Sequence, residues 1–190
     1  MRALIFPAVA SSALLLAACD RGPSVSATNA SQQEVAEKVA AASGGGNAPM
    51  VEPGRWEGKL TMHEFDISGL PAQAREQMKT QMAQDRTFIS CLTDEDVKSK
   101  KAFFTGDTDD KSCTYERFEM SGDKVSAVMH CAQPGQGKVS MTMNGSYAPQ
   151  SYDMTMTSKA DSDGPMGKMS MKMSVAAKRT GACRGTEDES

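Results

Sequence analysis

Methionine recurs at every second position in three successive stretches. Met141 and Met143 lie in KVSMTMNGSY, Met154 and Met156 in SYDMTMTSKA, and Met169, Met171 and Met173 in GKMSMKMSVAAKR. Two is the side-chain period of a β-strand, so each stretch sends its methionines to one face and its serines, threonines and lysines to the other. The repeat predicts an antiparallel sheet with one apolar face. A turn at Ala148–Ser151 makes opposed residue numbers sum to 299, which places Met143 opposite Met156 and Tyr147 opposite Tyr152. A wider turn around Ser162–Gly164 places Met156 opposite Met171 and Met154 opposite Met173. All seven then share one face. Aromatic residues make up only 5% of the chain and methionines number 15, so methionine is the expected core filler. Met143, Met154, Met156, Met171 and Met173 are expected to point inward and be largely buried, against Trp56, Leu60 and a helix.

The preceding sequence extends this pattern. RWEGKLTMHEF alternates, with Trp56, Leu60 and Met62 on one parity and Glu57, Lys59, Thr61 and His63 on the other. LPAQAREQMKTQMAQ has Ala74, Met78 and Met82 at helical spacing, which predicts a helix near 72–84 packed on the sheet. RTFISCL reads as a short strand, and Thr93 followed by acids reads as a helix start. CTYERFEMSGDKVSAVMHC carries a turn at Ser121–Asp123. The expected fold is mainly β with one or two helices: an antiparallel meander of six or seven strands, as a strongly twisted sheet or an up-and-down barrel. It should occupy residues 53–185, followed by an acidic tail at 186–190.

Upstream of Pro53 the composition changes. DRGPSVSATNASQQ is polar and AASGGGNAP is Gly-rich, so residues 19–52 read as a flexible tether. Within it Ser31 precedes Glu34 by three residues, a capping-box spacing, and predicts at most a short helix.

Residues 1–18 have one charge, Arg2, then the apolar run ALIFPAVASSALLLAA. This is the pattern of a secretory signal, and it is short for a membrane span. Leu16-Ala17-Ala18-Cys19 closes the run and resembles the lipobox of bacterial lipoproteins, Leu-(Ala/Ser)-(Gly/Ala)-Cys. That resemblance implies cleavage before Cys19, acylation of Cys19 and a periplasm-facing, lipid-anchored protein of the cell envelope. More than one acyl chain makes such an anchor stable without a transmembrane helix. Asp20 resembles an inner-membrane retention signal, weakened here by Arg21. Cleavage removes Arg2 and takes the formal charge from −3 to −4, which argues against nucleic acid as a partner.

With Cys19 acylated, four cysteines remain: Cys91, Cys113, Cys131 and Cys183. In an exported chain they read as two disulfides, with three possible pairings. No pair has the Cys-x-x-Cys spacing of a zinc ribbon or redox site. A three-residue turn at Ser121–Asp123 makes opposed numbers sum to 244, which sets Cys113 opposite Cys131. Cys113–Cys131 is therefore favoured, leaving Cys91–Cys183.

Pro53-Gly54-Arg55-Trp56-Glu57, Cys91-Leu92-Thr93, two cysteines in mid-chain and a closing Gly181-Ala182-Cys183 together resemble a proteobacterial envelope family of unknown function. The resemblance covers roughly residues 50–185. It implies the domain and its disulfides and brings no activity.

Catalytic chemistry finds little support, and no enzyme is expected. There is no Gly-x-Ser-x-Gly elbow. The cysteines are expected to be oxidised, and His63 and His130 read as surface residues. No cofactor is expected. The methionine face alone has ligand character. Thioethers are soft donors that select Cu(I), and MGKMSMKM has the Met-x-Met spacing of methionine-rich copper proteins. This singles out Met154, Met156, Met169, Met171 and Met173 as candidate Cu(I) or Ag(I) ligands. The other candidate partners are an apolar ligand or lipid held by the sheet, and an envelope protein docked on a structural or interaction module.

Overall fold

The methionine stretches are neighbouring strands of one sheet. The computed structural model describes residues 23–42, 50–98, 112–133, 137–161 and 167–186. The expected signal segment, Cys19, the Ser162–Gly164 turn and residues 187–190 lie outside them. The described elements run β1 (Ser24–Ser31), α1 (Gln32–Ala42), β2 (Gly54–Ile67), α2 (Ala72–Met82), β3 (Arg86–Leu92), α3 (Asp94–Lys98), β4 (Cys113–Ser121), β5 (Lys124–Gln133), β6 (Gly137–Ala148), β7 (Ser151–Asp161) and β8 (Lys168–Gly181). All eight strands join a single antiparallel sheet in the order β1-β4-β5-β6-β7-β8-β2-β3. Strands β4 to β8 form the expected meander. The β2–β3 hairpin extends it at one edge and β1 at the other. The sheet is open, with β1 and β3 as its edges, so the barrel alternative does not apply.

The tether reading is corrected over Ser24–Ala42. β1 pairs with β4 from Ser24↔Ser121 to Ser31↔Thr114 and buries Val25, Ala27 and Ala30. Asn29 adopts φ 51, a left-handed conformation that asparagine tolerates. The backbone N–H of Glu34 donates to Ser31 Oγ at 3.1 Å, which caps α1 as the Ser31/Glu34 spacing predicts. Gln32, Val35 and Val39 fall on one helical face and are buried. α1 therefore roofs the β1–β4 end of the apolar face. The larger core cluster gathers Val25, Ala27, Val35 and Val39 with Tyr115, Phe118, Met120, Val125, Tyr147 and Met154.

Two registers explain the cysteines and the methionines. At its turn the β4–β5 hairpin pairs Ser121 with Lys124 around a two-residue loop, one residue tighter than expected. An irregularity between Tyr115 and Arg117 then shifts the register by one and brings Cys113 opposite Cys131. Both expected disulfides are present, Cys113–Cys131 and Cys91–Cys183. β6 and β7 pair as expected, with Met143↔Met156 and Tyr147↔Tyr152. The β7–β8 register is corrected by two residues: Met156 faces Met173, Met154 faces Val175 and Ser158 faces Met171. The strands pair out to Asp161↔Lys168, which moves the centre of the turn along the chain. A two-residue slip preserves side-chain parity, so the methionines keep one face while changing partners.

α2 begins where expected yet buries no residue fully; Ala74, Met78 and Met82 are half-buried. It is held through β2, where Arg75 lies 3.7 Å from Asp66. Thr93 and Asp96 cap α3 reciprocally: the Asp96 N–H donates to Thr93 Oγ1 and the Thr93 N–H to Asp96 Oδ2, both at 3.1 Å.

The Pro-Gly-Arg-Trp-Glu opening has a structural explanation. Gly54 adopts φ 143, and a Cβ there would collide with the Gly181 carbonyl. Trp56 is 2% exposed, donates Nε1–H to the Glu52 carbonyl at 3.1 Å and lies 5.5 Å from the Tyr152 ring, centroid to centroid. It anchors a second, smaller cluster with Val51 and Ala177. Trp56→Ala is expected to cost about 3–5 kcal/mol, as for other buried aromatic truncations. Trp56→Phe should cost less, since it keeps a ring against Tyr152, while losing the N–H and the volume of the fused second ring. Urea unfolding of both variants checks this; a Trp56→Ala loss below about 1 kcal/mol contradicts the second core.

Candidate functional site

α1 covers only part of the apolar face. Beyond its amino terminus the sheet carries six methionines around a hollow of about 180 Å³. They form two cross-strand rows. Met143, Met156 and Met173 are consecutive partners across β6, β7 and β8. In the adjacent row Met129 faces Met141, Ser158 follows, and Met171 faces Ser158. Gln32, at the start of α1, and Tyr115 complete the wall nearest the helix. Burial pushes the Tyr115 phenol above its ordinary pKa, so it stays neutral at the hollow. Among the described residues the lining holds no carboxylate and no imidazole.

The sequence-derived methionine set divides here. Met156, Met171 and Met173 line the hollow. Met154 does not: it is 8% exposed and packs in the larger core. Met169 lines a different cleft, with Asp66 and Lys168. The expectation that Met143, Met156, Met171 and Met173 are largely buried is also corrected: each is half-buried, and Met141 is 37% exposed. The reason is the open sheet: among the described residues its apolar face is covered by α1 and the Met50–Val51 segment and not over these methionines. Met129 and Gln32 were missed as lining residues. Met129 follows from the β5–β6 register, which sets it opposite Met141, whereas Gln32 depends on α1 packing.

The cleft containing Met169 measures about 730 Å³ and is lined by Asp66, His130, Lys138, Lys159, Asp161 and Lys168 among others. Its charges have both signs, and Lys168 lies 3.7 Å from Asp161. His130 Nε2 is 2.6 Å from Glu116 Oε2, and His63 Nε2 is 2.7 Å from Ser174 Oγ. Both histidines are exposed, as their parity predicts. Among the described residues no group of three or more His, Cys, Asp or Glu side chains is placed to hold a metal. No described helix is long and apolar enough to cross a membrane.

Against known proteins, residues 51–183 match the family described as protein of unknown function (DUF3617). The chain belongs to the DUF3617 family. The matched stretch starts in the segment before β2 and closes at Cys183, so it contains both disulfides and the whole methionine face. Strand β1 and helix α1 lie outside it, although they supply Val25, Ala27, Ala30, Val35 and Val39 to the core of this DUF3617 chain. No curated protein and no solved structure matches the chain.

Proposed function

We propose that the mature chain is a lipid-anchored protein of the cell envelope, facing the periplasm, and that it acts as a non-enzymatic interaction module at the bilayer surface. Cysteine arithmetic carries this reading. Two disulfides consume Cys91, Cys113, Cys131 and Cys183, and the fifth cysteine, Cys19, ends the Leu16-Ala17-Ala18 box. The disulfides also suit an oxidising compartment. β1 starts at Ser24, five residues beyond Cys19, and five extended residues span at most about 18 Å. The short leash keeps the β1–β4 edge close to the bilayer, instead of lifting the domain away as a long tether would. The partner served is therefore one at the membrane surface.

Carriage of a whole lipid is the weaker reading. Sites for drug-sized ligands occupy about 300–1,000 Å³; the apolar methionine hollow is about 180 Å³, and the cleft of about 730 Å³ beside Met169 is lined by charges of both signs.

Mass spectrometry of the membrane-extracted protein should show an acylated Cys19 as the amino-terminal residue. Cys19→Ala should move the protein from the membrane to the soluble fraction without changing the fold. A soluble wild-type chain with a free Cys19 thiol overturns the anchor.

A further inference from the structure

We propose that the methionine hollow is a binding site for a soft monovalent cation, Cu(I), with the thioethers of Met143, Met156 and Met173 as its principal ligands. This goes beyond anchoring and does not depend on it.

Position comes first. Met143↔Met156 and Met156↔Met173 are direct register partners. Opposed positions place Cβ atoms about 4.5–5.5 Å apart. An unbranched side chain with three rotatable bonds can turn its sulfur toward a common point from there. Met129, Met141 and Met171 stand in the adjacent row and line the same hollow, so further sulfurs are within reach.

Donor chemistry selects the ion. Among the described residues the lining offers a hard cation only neutral oxygens, from Gln32, Tyr115, Thr142, Thr157 and Ser158, and no carboxylate to offset the loss of its water. Soft thioether sulfur favours Cu(I). A single charge also costs far less to desolvate in an apolar hollow than a double one, and polarizable sulfur offsets part of that cost.

Burial grades the methionines, although Met129 and Met143 of the hollow also touch the edge of the larger core. Met120 and Met154 are 1% and 8% exposed and belong to the packed core. The six methionines of the hollow are all more exposed than these, and Met141, at 37%, leaves a way in from solvent. Filling alone would be served as well by leucine, which cannot donate to a metal.

The test uses Ag(I), which needs no reductant and so leaves both disulfides intact. Ag(I) is titrated into the detergent-extracted mature protein labelled with ¹³C at the methionine methyls. One equivalent should saturate the site and shift the Met143, Met156 and Met173 methyls, leaving Met78 and Met82 of α2 in place. Met156→Leu/Met173→Leu should weaken binding by at least about 100-fold, the upper end of what losing even an indirect ligand contact costs. Its thermal midpoint should stay close to wild type, because leucine keeps the volume. The control Met78→Leu/Met82→Leu should bind as wild type. Anaerobic transfer of Cu(I) from a competing chelator should follow the same order. Absence of stoichiometric binding by the wild type overturns the site. So do methyl shifts spread evenly over the α2 methionines, or binding that survives in the Met156→Leu/Met173→Leu protein.

Discussion

A chain that begins at Val51 is expected to lose cooperative folding, although it contains the whole stretch matched to the family. Residues 24–42 contribute Val25, Ala27, Ala30, Val35 and Val39 to the larger core, with Val35 at 0% and Val39 at 2% exposure. Fully burying one such side chain stabilises by about 1.5–3 kcal/mol, so the three valines alone represent roughly 5–9 kcal/mol as an upper bound. A domain's whole stability is about 5–15 kcal/mol. Truncation does further harm at β4. Without β1, the backbone groups from Thr114 to Ser121 become an open edge. Tyr115, Phe118 and Met120 lose their roof. A bare strand beside exposed apolar side chains invites pairing between chains. Urea unfolding of the mature protein and of the Val51 truncation checks this. The truncation should show a broad or missing transition and self-association by light scattering. Two curves with the same midpoint and slope would mean that β1 and α1 are decoration.

That segment was also the hardest to read. SVSATNAS alternates only as far as Ala27; the left-handed Asn29 shifts the parity so that Ala30 also faces inward, and small side chains among serines carry almost no hydropathy signal. Tertiary packing against Phe118 and Met120 makes it a strand, and nothing local records those partners. By contrast, the methionine strands announce themselves, because a large apolar residue at period two has only one face to occupy. Parity is robust, and register is less so. The β7–β8 slip of two residues left every methionine on its face while changing each partner, so the sequence revealed the methionine face and hid the row. The β4–β5 hairpin shows the opposite case. A two-residue turn and an irregularity at Glu116 together restore the Cys113↔Cys131 pairing that a plain three-residue turn would give. α2 was legible as a helix from its spacing, yet its half-buried Ala74, Met78 and Met82 show that periodicity predicts a face and not the depth to which that face is buried.

Breaking the Cys91–Cys183 bridge is expected to cost more than breaking Cys113–Cys131. The first closes a separation of 92 residues and the second one of 18. Chain entropy assigns about 4–5 kcal/mol to the longer loop and about 3 kcal/mol to the shorter, because the unfolded chain loses more freedom when distant residues are joined. Sheet order adds to the difference. Cys91 lies in edge strand β3 opposite Arg55, and Arg55 lies opposite Gly181 at the end of β8, so the longer bridge reaches across β2. It ties an edge strand of seven residues to the strand two places away. Cys113 and Cys131, in contrast, face each other in a hairpin that already pairs along its length. Urea unfolding of Cys91→Ser/Cys183→Ser and Cys113→Ser/Cys131→Ser gives the comparison. The first pair should lose about 1–2 kcal/mol more than the second, and hydrogen exchange should show β3 opening before the meander. Equal losses would mean that β3 is held by its ladder to β2 and the Trp56 cluster, with the bridge adding no constraint of its own. The reverse order would place the weak point of the sheet at β4–β5, and would require the unfolded chain to hold residues 91 and 183 near each other before the bridge forms.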